Sequence, residues 1–399
     1  VTFDYEDRLD AFSEYRAGFE IRTMKRCRMI TISTRTADGQ EHPVRKYLFT
    51  YASDRHNGVS LLQQLDIIGF DDAKNDYQDN DPTDPHPKQL PPLTFSYTGF
   101  APEMRKFEAV KGPALPTSTI SASDTELVDL HGSGLPDILE MNGTVRYWRN
   151  LGNGHFDLPQ LIRDAPPHAL SEVGVQLLDA NGDGRMDLMV TEGARAGYYP
   201  LSYKASWNPF QRFGQAPSFN LEDPEVRLID LNGDGIIDAL RSGTSFENFF
   251  NDPRNGWQKP RPEPRKALDQ FPNVNFSDPR VKVADMTGDS MQDIVLIHNG
   301  NIAYWPNLGH GQWGRRVNMG NSPRLRDQGY TLGYDPRRIL VGDVDGDGLA
   351  DVVYVDDRKI TLWINQSGNA WSDPIEIQRT PAVTDLDAIR LVDLLGTGI

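Results

Sequence analysis

Six times along the chain an aspartate opens a short loop of the form D-x-[DN]-G-D-G-x-x-D, or a worn version of it. The five complete copies read DLHGSGLPD (129–137), DANGDGRMD (179–187), DLNGDGIID (230–238), DMTGDSMQD (285–293) and DVDGDGLAD (343–351). A sixth, DLLGTGI, starts at Asp393 and meets the end of the sequence at Ile399. The opening aspartates lie 50, 51, 55, 58 and 50 residues apart. A period of this length marks stacked supersecondary units, because no single unit can bury its own apolar face.

Apolar, β-branched runs flank most loops: VQLL, VRLI, VKVA and ILVG before them, DLMV, DIVLI and DVVYV after. Each loop therefore joins two strands. A second mark recurs in phase. An aromatic follows the last loop aspartate by 11 or 12 residues (Trp148, Tyr199, Phe250, Trp305, Trp363), and another follows 7 or 8 residues later (Phe156, Trp207, Trp257, Trp313, Trp371). Gly/Asn turns, NLGNGHF and NLGHGQW, separate the two marks in the first and fourth units. About four short strands per unit is the content of one propeller blade. Aromatics that recur in phase read as packing between blades rather than as sugar platforms.

The expected fold is all-β: a β-propeller over residues 101–399, six blades with five as the fallback, its sixth repeat truncated. Residues 1–100 form an N-terminal β-rich appendage, with strands in FEIRTMKRCRMITIS, RKYLFTYA and LLQQLDIIGF. Residues 71–89 are acidic, contain prolines and almost no apolar side chains, and read as a linker. LPPLTFSYTGF (90–100) resumes strand character, and a strand such as 93–97 could complete the sixth blade.

The loops themselves raise the question of a cation. Calcium takes six to eight hard oxygen ligands. The pattern supplies side-chain oxygens at positions 1, 3, 5 and 9, with a backbone carbonyl at position 7. Asp179, Asn181, Asp183 and Asp187 form a full set, as do Asp230, Asn232, Asp234 and Asp238, and the richest is Asp343, Asp345, Asp347 and Asp351. Asp285, Thr287, Asp289 and Asp293 make a weaker set, and His131 and Ser133 make the first loop read as a metal-free turn. An EF-hand is excluded, since its twelfth position needs a Glu where Val190 and Tyr354 stand. The other reading is that all are tight turns closed by aspartate side chains. Under the calcium reading the ion is structural, because no nucleophile or base stands beside these loops.

Charge and composition narrow the rest. A net charge of −16, from 57 acidic and 41 basic residues, argues against a nucleic-acid partner. No apolar run approaches the ~18 residues of a membrane helix. Cys27 is the one cysteine, so an internal disulfide or multi-cysteine zinc site is impossible, and it reads as a small buried hydrophobe. Residues 309–314 (GHGQWG) match a dinucleotide pattern, but they occupy the repeat's own turn and open no helix. The expectation is that the chain is not an enzyme.

Phe12 to Ile30 (FSEYRAGFEIRTMKRCRMI), LPPLTFSYTGF and the Asp loops together resemble the B component of bacterial Tc toxin complexes and the related SpvB-type virulence proteins. The loops alone are shared with FG-GAP and VCBS propellers; residues 12–30 are the more specific part. The resemblance implies a secreted or extracellular protein whose propeller docks onto a pore-forming component. Residues 251–271 and 314–336, polar, rich in Arg and Pro and poor in strand signals, read as the exposed contact loops for such docking. It also implies a gate to a hollow Rhs-type shell in the same parent protein. The sequence stops inside its sixth loop, so it reads as a piece of a longer chain. Two other readings stand beside this one. The first is a calcium-dependent carbohydrate-binding or adhesive propeller, with Tyr198, Phe246 and Phe249 as candidate contacts. The second is a hydrolase or lyase with carboxylates converging on the channel.

Overall fold

A computed structural model of the chain describes residues 1–37, 39–70, 88–191, 196–325 and 333–398. The architecture is all-β: one six-stranded sheet at the N-terminus, then five four-stranded antiparallel sheets in series, with three single 3₁₀ turns. No helix among these residues is long and apolar enough to cross a membrane.

The N-terminal sheet runs β1 (Thr2–Glu14), β2 (Ile21–Arg35), β3 (Glu41–Ser53), β4 (Ser60–Gly69) and β5 (Lys88–Gln89), with β6 (Leu93–Thr94) also on β4. β2, β3 and β4 coincide with the three strands expected here. β1 was not among them: its apolar residues Phe3, Tyr5 and Leu9 face solvent, so no buried stripe announces it. Leu93 pairs with Leu65 and Tyr97 donates to the Leu62 carbonyl at 2.9 Å, so this segment belongs to the N-terminal sheet and does not complete a sixth blade. Of the expected linker 71–89, residues 71–87 lie outside those described, while Lys88–Gln89 forms a strand on Ile68–Gly69. Cys27 is half-buried on β2 rather than in a core.

Each of the five later sheets is a meander of neighbouring strands. In the fifth the order is Ile339–Gly342, Asp351–Asp356, Lys359–Trp363 and Ile375–Gln378. The Asp loop always links the first strand to the second, and its last aspartate is the second strand's first residue. The register pairs Val128 with Asp137, Leu178 with Asp187, Ile229 with Asp238, Ala284 with Asp293 and Gly342 with Asp351.

Neighbouring sheets share their cores. Met286, Val295 and Tyr304 of the fourth unit pack with Ile339, Val352 and Trp363 of the fifth. Equivalent clusters join the first unit to the second, the second to the third and the third to the fourth. Nine of the ten in-phase aromatics are buried and Tyr199 is partly buried, which agrees with the packing reading. Trp257, 1% exposed, meets Phe213 and Phe219 edge-on at 6.4 and 4.9 Å. Truncating a buried tryptophan of this kind costs about 3–5 kcal/mol.

Candidate functional site

Each loop is held by its two end aspartates. In loop 3, Asp230 Oδ1 accepts from the backbone N–H groups of Asn232 (3.1 Å) and Gly233 (2.7 Å), and Oδ2 accepts from Gly235 (2.8 Å). Loop 5 repeats this with Asp343 accepting from Asp345, Gly346 and Gly348 at 3.2, 2.7 and 2.9 Å. The wrap needs left-handed backbone at Gly233 (φ 76) and Gly235 (φ 82). Loop 4 puts Ser290 in that region at φ 67, a strain its glycine-bearing counterparts avoid.

The closing aspartate is the buried member. Asp238 Oδ1 accepts from Asn251 N–H at 2.7 Å and Oδ2 from Leu231 N–H at 3.1 Å. Asp137, Asp293 and Asp351 accept from Asn150, Asn307 and Asn365 in the same way. Burial, which disfavours the charged form, pushes the Asp187 and Asp238 carboxyls up to about 7, with neighbouring loop aspartates adding to the shift. Burial raises Asp293 and Asp351 well above the ordinary range. Asp347 reaches about 7, and Asp285 and Asp345 are raised, again with burial as the first cause. At Asp129 and Asp393 burial opposes, but backbone N–H groups win and hold the carboxyls low.

The sequence-named ligand sets fare differently. In loop 5, Asp343, Asp345 and Asp351 each bring a carboxylate oxygen to within 4.8 Å of the others. In loop 2, Asp187 Oδ2 is buried and has no hydrogen-bond partner among the described residues. Both features fit a cation held by oxygen ligands. In loop 3, Asn232 donates to Asp234 at 2.9 Å, and in loop 4 Thr287 lies 3.5 Å from Asp285. In loop 1, His131 Nδ1 sits 2.9 Å from Asp137 Oδ2, and Ser133 donates to Asp129 at 3.3 Å, so side chains fill that loop.

A set of asparagines escaped the sequence reading, though their spacing was visible. Asn150, Asn251, Asn307 and Asn365 follow the closing aspartate by 13 or 14 residues. Three of their side chains donate to a carbonyl in the preceding loop: Asn251 to Ala180, Asn307 to Asp230 and Asn365 to Met286. Asn150 donates at 3.0 Å to the carbonyl of Leu394, in the sixth loop.

One sequence expectation is overturned and a second holds in part. Tyr198, Phe246 and Phe249 are 4%, 0% and 0% exposed, so none can serve as a sugar platform. Residues 251–271 and 314–336, expected to be exposed contact loops poor in strands, carry the short strands Asn251–Asp252, Gly256–Trp257, Arg261–Pro264 and Val317–Asn318 and bury Phe271, Met319 and Leu325, while 254–255, 258–259, 261–262 and 266–270 are exposed as expected. Residues 326–332 of the second stretch lie outside those described.

Residues 129–190 and 343–399, which include the Asp loops of the first, second and fifth sheets, match the FG-GAP-like repeat family. Residues 2–35 match the family described as Salmonella virulence plasmid 65kDa B protein. No curated protein matches the chain. Among solved structures, a chain of the Photorhabdus luminescens Tc holotoxin pore is similar over 100% of this chain and 18% of its own length, at 25% identity and a TM-score of 0.77. The crystal structure of Photorhabdus TcdB2-TccC3 matches 98% of this chain and 19% of its own, at 22% identity and a TM-score of 0.57. This chain thus spans about a fifth of the length of the solved chains it matches. The SpvB and FG-GAP-like signatures are both present, and the structural neighbours are Tc toxin components, as the resemblance implied.

Proposed function

We propose that this chain is a non-catalytic docking and gating module of a secreted toxin complex, which binds the pore-forming translocation component. Its likeness along its whole length to a chain of a Tc holotoxin pore carries the proposal. In this reading residues 101–399 are a β-propeller with six blade positions, and residues 1–100 brace it. An Rhs-type shell of the parent protein lies behind it.

Two sets of contacts support the closed ring. The sixth loop bonds to the first unit through Asn150 and Leu394 as each later asparagine bonds to the loop of the preceding unit. Lys111 bridges His155 in parallel, as Gln215 bridges Gly256 and Gly320 bridges Ala370. The stretch around Lys111 therefore fills, ahead of the first unit, the place that the end of the preceding unit fills elsewhere. Calcium, in this reading, is structural, held by the ligand sets of loops 2, 3 and 5 and more weakly by loop 4.

A pull-down of the cognate pore-forming component with the intact chain tests the proposal. Binding that weakens with salt is the expected result, given the net charge of −16. No binding at low salt would sink it.

A further inference from the structure

The N-terminal sheet reaches the repeats at two of the Asp loops, and it arrives there with hydrogen-bond donors. Asn57, in the turn between β3 and β4, is 9% exposed. Its Nδ2 lies 3.0 Å from Asp345 Oδ2 and 3.0 Å from Asp347 Oδ2, so one amide bridges two carboxylates of loop 5. The turn is built to present that amide. Asp54 accepts from the backbone N–H groups of His56 and Asn57 at 2.7 and 3.2 Å, and Asn57 Oδ1 accepts from Val59 N–H at 3.0 Å.

At loop 4 the turn between β1 and β2 plays the same part. Tyr15 N–H donates to Asp289 Oδ2 at 3.0 Å, and the Arg16 guanidinium donates to the Asp289 carbonyl. Gln366 donates to the His56 carbonyl and Asn369 to the Ala11 carbonyl, at 3.0 and 2.7 Å. In all four of loops 2 to 5 this carboxylate accepts from the N–H two residues on (Asp183 from Arg185, Asp234 from Ile236, Asp289 from Met291, Asp347 from Leu349), and in loops 2 and 3 no donor from the N-terminal sheet is added among the described residues.

We propose that loop 5 is the latch of the N-terminal sheet, and that a divalent cation competes with Asn57 for Asp345 and Asp347. The competition rests on the calcium reading given above; the latch itself does not. A divalent cation needs those carboxylate oxygens at about 2.3–2.6 Å, and the amide hydrogens point at two of them. Rotating the amide to offer its oxygen instead would turn its NH2 onto Val59 N–H, donor against donor. The cation and the docked turn therefore exclude one another. With little free cation the sheet is fastened to loop 5; at high cation loop 5 lets go while loops 2 and 3 load without disturbing the sheet.

Hydrogen exchange on the full chain, in EDTA and in millimolar CaCl2, with wild type and Asn57→Ala, reads this directly. In EDTA, Asn57→Ala should raise exchange several-fold over residues 53–60 and 8–16. Calcium should do the same to the wild type, an arm that needs no variant to fold. By calorimetry, Asn57→Ala should bind calcium about a hundredfold more tightly at one site, the effect of removing two hydrogen bonds to charged groups. Unchanged exchange in EDTA overturns the latch. Calcium protection of these segments, or weaker binding by the variant, overturns the competition and makes Asn57 a ligand. No calcium binding by either protein overturns the competition and the calcium reading together, while the EDTA arm still decides the latch and leaves the docking reading to its own pull-down.

Discussion

The buried closing aspartates concentrate more consequence in one side chain than any other residue of the repeat. Asp238 is fully buried and satisfies two buried backbone N–H groups, those of Leu231 and Asn251. Asp238→Ala leaves both without partners, so urea denaturation should show a loss of about 2–4 kcal/mol. Asp10 makes the opposite electrostatic case. Burial works against its charge, but Arg8, at 2.6 Å, and the N–H and hydroxyl of Ser60, both at 2.7 Å, hold its carboxyl well below the ordinary value. A depressed carboxyl stabilises the fold above its unfolded value of about 4 and loses that contribution as pH falls through the folded value. Asp10→Asn should therefore lower the melting temperature at pH 7, and the gap from wild type should shrink as scans descend from pH 4 to pH 2. The aspartates were legible in the sequence, because a tight turn and its capping oxygens lie within nine residues of one another. The four bridging asparagines were equally periodic, but their partners lie 71 to 244 residues away, and nothing local names a carbonyl.

At the scale of the loop, one hairpin connection is used in three ways. Loop 1 is filled by His131, loops 4 and 5 take donors from the N-terminal sheet, and loops 2 and 3 take none from it among the described residues, with Asp187 Oδ2 of loop 2 left without a partner. If the uncapped loops hold structural calcium, adding millimolar CaCl2 to chelator-treated protein should raise its melting temperature, since a ligand specific to the folded state stabilises it by mass action. Asp234→Ala should remove one calorimetric site and leave the others within a factor of about 2, because well-separated sites act independently. Absence of any calcium-dependent shift would leave the loops as turns. Their strand-to-strand placement followed from the flanking β-branched runs. The strands within 251–271 and 314–336 were missed because they are two to four residues long, too short for any period to register.

Across the whole molecule, one contact ties the first unit to the sixth loop. Asn150 donates both to Pro136 and to Leu394, so Asn150→Leu leaves two carbonyls unpaired and cuts the tie between the first unit and the sixth loop. The expected outcome is a stability loss of about 1–3 kcal/mol together with faster hydrogen exchange over residues 393–398. A variant with wild-type exchange there would argue that the sixth loop is held elsewhere.

The sequence by itself determined what recurs: the period, the strand–loop–strand order, the in-phase aromatics and the carboxylate-rich turns. These are local, and each is repeated until chance cannot account for it. Only the tertiary structure decided which loops lie open and which lie beneath the N-terminal sheet, and that Leu93 and Tyr97 join that sheet. The physical reason is that docking is chosen by the meeting of two finished surfaces. Asn57 and Asp345 are 288 residues apart, and their hydrogen bond exists only once both turns have formed.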